Sequence, residues 1–248
     1  LPGVDDGARD IDESVAMCKA AASEGVTAIV ATPHAFDGVH TTHSIEFLRQ
    51  KVEELSSRLG GTPRIELACE LRFTHDVVNQ VCGDKTAPTI AGGPYVLLEF
   101  PHYVVPAGTS RVLFELMSRQ IRPIIAHPER NRTLMAEPQR FFEMVEMGAL
   151  GQVDSGSMTG QFGSKVRETA ETMLEHGLIH MVASDCHNMR NRLPGLSNAL
   201  KEIAEIVGQA FASNLANDNP AAAVQGIPIP CRPQASLPTK KKKRFLFF

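Results

Sequence analysis

The chain has 248 residues, 43% hydrophobic and 21% charged, with 25 Lys and Arg against 28 Asp and Glu and no Trp. That composition suits a folded chain long enough to bury a core, and it excludes collagen-like, coiled-coil, disulfide-scaffold and wholly disordered classes. The net charge of -3 hides a segregation: Arg232, Lys240, Lys241, Lys242, Lys243 and Arg244 lie beyond Asn219 with no acid among them, so the preceding body is strongly acidic. An acidic body gives no electrostatic footing for nucleic acid.

In chain order, Asp10 and Glu13 have the spacing of a capping box and predict a helix that closes near Gly25. The β-branched run 26–32 predicts a strand. Ile45, Leu48, Val52, Leu55 and Leu59 form one helical stripe that ends at Gly60-Gly61. Further strands are predicted at 64–70, 95–100, 122–127, 149–154 and 178–185, and further helices at 109–119, 138–147, 165–175 and 195–207. This alternation predicts an α/β fold with a mainly parallel sheet, open or closed as a barrel. From Pro220 to Phe248 five prolines and a lysine run replace the periodicity, so a domain at 1–219 followed by a disordered Pro-rich basic tail at 220–248 is expected. Five scattered cysteines without a CxxC pair fit a reduced, cytoplasmic setting, and no apolar run is long enough to span a bilayer.

Several strands end in a side chain that binds metals: His34, Glu70, Glu99, His127, and Asp185 with His187. In parallel α/β folds the carboxyl ends of the strands share one surface, so these residues converge although distant in sequence. Imidazoles with carboxylates and no thiolate suit Mn, Fe, Zn or Mg. Cys186 is expected to point away and pack. His40, His43, His75, His102, His176 and His180 are expected on the surface or in loops, with His40 and His102 near enough to border a site. Arg130 and Arg192 follow ligand motifs closely, and their planar forks suit phosphate oxygens. For Arg132 and Arg190 the expectation is a loop salt bridge.

The stretches Leu1-Pro-Gly-Val-Asp-Asp-Gly-Ala, Ala31-Thr-Pro-His, Ala68-Cys-Glu, Leu97-Leu-Glu-Phe, Ile125-Ala-His-Pro-Glu-Arg and Ala183-Ser-Asp-Cys-His-Asn, then Arg192 and Asn219-Pro220, run in one order from Leu1 to about Gly226. Together they resemble the polymerase and histidinol phosphatase (PHP) superfamily, specifically the manganese-dependent protein-tyrosine phosphatases of bacterial capsule and exopolysaccharide operons. The resemblance implies a distorted TIM-like (β/α)7 barrel with up to three manganese or other divalent ions at its mouth. By that resemblance Asp6, His34 and His187 hold one metal, Glu99 and His127 a second bridged by Glu70, and Glu70 with Asp185 part of a third. In the family that third metal also takes a His-x-His pair upstream of Leu-Pro-Gly. The sequence given starts after that point, so the expected barrel lacks its first strand.

The implied reaction is in-line attack on phosphorus by a metal-activated water. Asp185 belongs to the catalytic set with Arg130 and Arg192, and the two arginines bind and neutralise the phosphoryl oxygens. The implied substrate is the phosphotyrosine tail of a membrane-associated bacterial tyrosine kinase that controls polysaccharide export. Two rivals are a small-molecule phosphatase acting on a compound such as histidinol phosphate, and a non-turning-over module that binds phosphotyrosine tails. The tail Lys240–Phe248, basic then apolar, suggests peripheral contact with an anionic membrane, which would place the chain at the inner face.

Overall fold

A computed structural model describes residues 1–34, 43–83 and 87–238. Among these residues seven parallel strands carry the fold: β1 (Ala28–Ala31), β2 (Arg64–Leu67), β3 (Glu70–Arg72), β4 (Tyr95–Glu99), β5 (Arg122–Ala126), β6 (Leu150–Asp154) and β7 (Met181–Ala183). The segment predicted as one strand at 64–70 is divided because its partner changes. β2 pairs with β1 from Ala28↔Arg64 to Ala31↔Leu67, whereas β3 pairs with β4 from Glu70↔Leu97 to Arg72↔Glu99. A bridge between His34 and Glu70 links the two sheets, so the strands run β1, β2–β3, β4, β5, β6, β7 around the site.

The helices return the chain between strands. α1 (Ile11–Ser23) starts where the Asp10 side chain accepts from Glu13 N. The Glu13 carboxylate reaches back to Arg9 N at 3.0 Å rather than to Asp10, a capping box displaced by one residue. α2 (Ile45–Leu59) begins with Ser44 accepting from Phe47 N and ends on Gly60 at φ 66, a conformation that glycine adopts without strain. Its Leu48 and Leu55 are buried, as the stripe predicts. Shorter helices follow: α3 (Val77–Cys82), α4 (Thr109–Ser118), α5 (Arg132–Ala136), α6 (Gln139–Met147), α7 (Ser155–Met158), α8 (Ser164–Glu175), α9 (Ser197–Val207), α10 (Gln209–Ala216) and α11 (Asp218–Val224).

Strand alternation sorts the core into two faces. Tyr95, Leu97, Ile124, Ala126, Leu150 and Met181 form one cluster, with Ile90 and Ala223 packed against it. Val96, Leu98, Ile125, Val153 and Val182 point the other way into the larger cluster shared with the helices. Both faces are therefore buried, as apolar parallel strands require. Six ribbons laid flat would separate β1 from β7 by roughly 24 Å at about 4.8 Å per strand. Yet Asp6 lies within ligand distance of His34 after β1 and 3.3 Å from His187 after β7, so the sheet curls round a common axis. Among the described residues no strand joins β7 to β1, and the barrel is open along that seam.

The expected domain boundary at Asn219 falls inside α11, and the expectation of disorder is corrected as far as Pro238. Asn219 is fully buried; its amide donates to His180 O at 2.8 Å and Cys231 O at 2.7 Å, while its oxygen accepts from Cys231 N at 3.0 Å. Tyr95 Oη donates to Ile227 O at 2.8 Å, and Arg232 donates to Val145 O at 2.8 Å. Composition is blind to such tertiary tethers. The proposed membrane-contacting segment Lys240–Phe248 lies outside the described residues.

Candidate metal centre

Strand parity explains how the site is built. Glu99 continues the inward series Tyr95, Leu97; Glu70 follows Ala68; and Asp185 lies two residues past Ala183, in step with Met181. Glu99 and Asp185 thus stand above the apolar interior at the carboxyl ends of β4 and β7, while Glu70 opens β3 on the same face, level with Leu97. His127 and Asp185 leave their strands at φ 31 and φ 48, and Asp5 sits at φ 57. Left-handed backbone at non-glycine residues costs free energy, and its concentration here marks a site that tertiary contacts over-determine.

Two three-donor groups have all their ligand atoms within 4.8 Å of one another: Asp5, Asp6 and His34; and His34, Glu70 and Glu99. His34 belongs to both. Its Nδ1 is 2.7 Å from Asp5 Oδ2 and its Nε2 is 3.6 Å from Glu99 Oε2. His127 Nε2 lies 3.0 Å from Glu70 Oε1 and 3.7 Å from Glu99 Oε1. His187 Nε2 lies 3.3 Å from Asp6 Oδ1, and its Nδ1 is held by Asp185 O at 2.8 Å. The seven expected ligands are therefore near neighbours, with His127, Asp185 and His187 flanking the two tight groups.

The charges are mutually stabilising. Hydrogen bonding to Asp5, and then to Glu99, pushes the His34 imidazole up to about 11. Burial opposes protonation of His127, but the Glu70 carboxylate outweighs it and raises the ring to about 9. His187 is likewise raised, the bond to Asp6 prevailing over burial, and His187 in turn holds Asp6 down at about 2. Carboxylates this crowded favour positive charge among them, which is why the neighbouring imidazoles are raised. Neutral imidazole nitrogens and carboxylate oxygens are the donors that Mn, Fe, Zn and Mg accept, so the residues fit a divalent metal.

Both expected phosphate-binding arginines are present at the cluster. Arg130 donates through NH1 to Asp185 Oδ2 at 2.9 Å and to Asp154 Oδ2 at 3.2 Å, and Arg192 donates to the same Asp185 oxygen and lies 2.9 Å from His187 Nε2. A small cleft lined by Glu99, His102, His127 and Asn131 reaches Arg130.

Sequence reading passes over four contributors. Asp5 fixes His34. Asp154 and Phe162 hold Arg130, the ring centroid lying 4.4 Å from the guanidinium carbon. The buried Glu129, which accepts from Asp154 N at 3.1 Å and Ser157 Oγ at 2.6 Å, stiffens that corner. Other expectations are corrected. His180 is fully buried rather than on the surface; it lies in the connection just before β7, where its Nδ1 accepts from Gly151 N. Arg132 and Arg190 form no salt bridge among the described residues; Arg132 instead lies over the Tyr103 ring at 4.8 Å. His40 lies outside the described residues. Cys186 is half-buried, and burial raises its thiol.

The chain matches the family model described as "Capsular polysaccharide synthesis, CpsB/CapC" over residues 1–225. It is 32% identical over 250 residues to the tyrosine-protein phosphatase YwqE of Bacillus subtilis, covering 100% of this chain and 97% of the relative. Over 224 residues it is 30% identical to the tyrosine-protein phosphatase CpsB of Streptococcus pneumoniae, covering 88% of this chain and 92% of that one. A solved chain from the crystal structures of these two proteins, described as unique metal-dependent tyrosine phosphatases, superposes with a TM-score of 0.88 at 32% identity, covering 95% and 96% of the two chains.

Proposed function

We propose the activity of this chain from one premise: it belongs to the CpsB/CapC family of capsular polysaccharide synthesis. It is a hydrolase, a metal-dependent protein-tyrosine phosphatase. Within that activity we assign manganese as the metal and Asp6, His34, Glu70, Glu99, His127, Asp185 and His187 as its ligands. We assign as substrate the phosphotyrosine tail of a membrane-associated bacterial tyrosine kinase, which places the enzyme at the inner face of the membrane. The observation that carries the reading is the meeting of two guanidiniums, from Arg130 and Arg192, with a crowded imidazole–carboxylate cluster.

When bound, divalent metal supplies Lewis-acid charge at the phosphoryl oxygens and lets water act as a nucleophile at neutral pH. The chain's own groups do the rest. Asp5 keeps the Nε2 edge of His34 turned toward Glu99 and the cluster. Arg130, steadied by Asp154 and Phe162, and Arg192 present N–H groups where charge develops on the transferring phosphoryl group. Cys186 takes no part. Its thiol is raised by burial, whereas a cysteine nucleophile works as a depressed-pKa thiolate.

Steady-state hydrolysis of a phosphotyrosyl peptide, a phosphoseryl peptide and histidinol phosphate by the manganese-loaded chain tests the assignment. The phosphotyrosyl peptide should be the best substrate, with activity lost to a chelator and restored by manganese. Preference for histidinol phosphate would overturn it.

A further inference from the structure

The loop that follows Glu99 carries features that the hydrolysis of a phosphate ester does not use. Its carbonyls are pinned one after another by the segment that follows Arg130. Asn131 Nδ2 donates to Pro101 O at 2.8 Å and Val104 O at 3.2 Å, Arg132 N donates to His102 O at 3.0 Å, and Thr133 Oγ1 donates to Tyr103 O at 3.2 Å. A loop held this tightly nevertheless exposes apolar side chains: Tyr103 is 67% and Val104 49% exposed.

The rings are ordered into a short ladder. His102 lines the cleft beside Glu99, His127 and Arg130. Tyr103 meets His102 edge-on with centroids 5.0 Å apart, and the Arg132 guanidinium covers the Tyr103 ring at 4.8 Å. The ladder therefore runs from the catalytic cleft outward onto the surface, and Arg132 at its outer end pairs with no carboxylate among the described residues.

The loop after β7 repeats the arrangement. Met189 and Leu193 are exposed, Arg190 has no carboxylate partner among the described residues, and the turn is fixed by Asn188 Oδ1 accepting from Arg190 N at 2.9 Å and Asn191 N at 3.0 Å. Four of the eight large apolar side chains exposed among the described residues thus sit on the two loops that hold Glu99, His187 and Arg192. On an acidic body, two arginines without a carboxylate partner among the described residues, beside exposed apolar groups on these loops, are a local inversion of charge.

We propose that these two loops are a docking rim for an acidic polypeptide segment flanking the phosphotyrosine, engaged through Tyr103, Arg132 and Arg190. The proposal rests on the phosphotyrosine reading and names the kind of chain that reading requires. Aromatic and arginine groups dominate binding where they are desolvated, and Arg132, already laid over Tyr103, has less side-chain entropy left to lose. The tyrosyl ring leaving the cleft packs along His102, and carboxylates on neighbouring substrate residues meet Arg132 and Arg190.

The test compares kcat/KM of the manganese-loaded chain for two phosphotyrosyl peptides that differ only in flanking Glu and Asp against Gln and Asn, with histidinol phosphate alongside. Acidic flanks should be preferred by about tenfold at low salt, the preference shrinking as ionic strength rises. The double variant Arg132→Gln with Arg190→Gln should bring the ratio near one, Arg132→Glu should reverse it, and Tyr103→Ala should weaken it. Equal turnover of the two peptides by the parent, or an unchanged ratio in the variants, overturns the rim alone. Turnover of histidinol phosphate with neither peptide hydrolysed overturns the rim and the phosphotyrosine reading together.

Discussion

Asp5 Oδ2 lies 2.7 Å from both the ring Nδ1 and the backbone nitrogen of His34, twenty-nine residues away. One carboxylate oxygen therefore fixes the ring's rotamer and also the chain that carries it. The Nδ1 contact turns Nε2 toward Glu99 and the other proposed ligands, the arrangement in which a supporting carboxylate tunes a histidine ligand. Asp5→Ala should weaken manganese affinity by roughly 10- to 100-fold. Calorimetric titration of the metal-free variant measures it, and metal loading equal to the parent's would remove Asp5 from the site.

Arg130 is held from two sides, by Asp154 and Asp185 at one nitrogen and by the Phe162 ring on its face. Asp154 is itself held in place: its Oδ1 accepts from Gly156 N at 2.8 Å, in a corner so close that a Cβ on Gly156 would lie 2.7 Å from Gln161 Oε1 and 2.9 Å from the Phe162 ring. Phe162→Ala should lower kcat/KM for phosphotyrosyl peptide by about tenfold through loss of orientation. In a double-mutant cycle the same change should have little further effect on Arg130→Ala. Additive losses would show that Phe162 acts elsewhere.

Burial raises the Cys186 thiol, with the Asp185 carboxylate adding to it and a bond to Ser184 opposing it. A thiol so placed is a poor nucleophile at neutral pH. Cys186→Ser should retain hydrolysis within about threefold, a change of less than roughly 1 kcal/mol in the barrier. Loss of turnover with metal content unchanged would revive a cysteine mechanism.

Glu70, Glu99 and Asp185 are legible in the sequence because each extends the two-residue period of an apolar strand, and strand ends in parallel folds face one way. Asp5 is not: beside Asp6 it looks the same locally, and only the return of the chain after β1 gives it His34. Arg132 misleads for a related reason, since the nearest partner for its guanidinium is an aromatic face on another loop rather than an acid. The extended tract after α11 reads as disordered because prolines abolish periodicity whether or not the backbone is tethered. What tethers it, Asn219 against His180 and Cys231, is a set of tertiary hydrogen bonds without a pattern of its own.

His180 gives the fold an acid limit independent of the metal centre. Burial, helped by the Arg232 charge, lowers its pKa to about 3 from the ordinary 6.5, and its Nδ1 accepts from Gly151 N at 3.1 Å, so the native ring is neutral. Between pH 6.5 and about 3 the unfolded chain takes up a proton at this ring that the native chain refuses. The unfolded state binds more protons there, so stability falls as pH falls, with a slope on the order of 1.4 kcal/mol per pH unit from this one group; above pH 6.5 its contribution is flat. His180→Asn keeps an acceptor for Gly151 N and removes the titration. Urea midpoints measured from pH 7 down to pH 4.5 should drop less steeply in the variant than in the parent, even though the smaller side chain lowers stability at pH 7. Parallel pH profiles would mean that His180 does not set the acid limit.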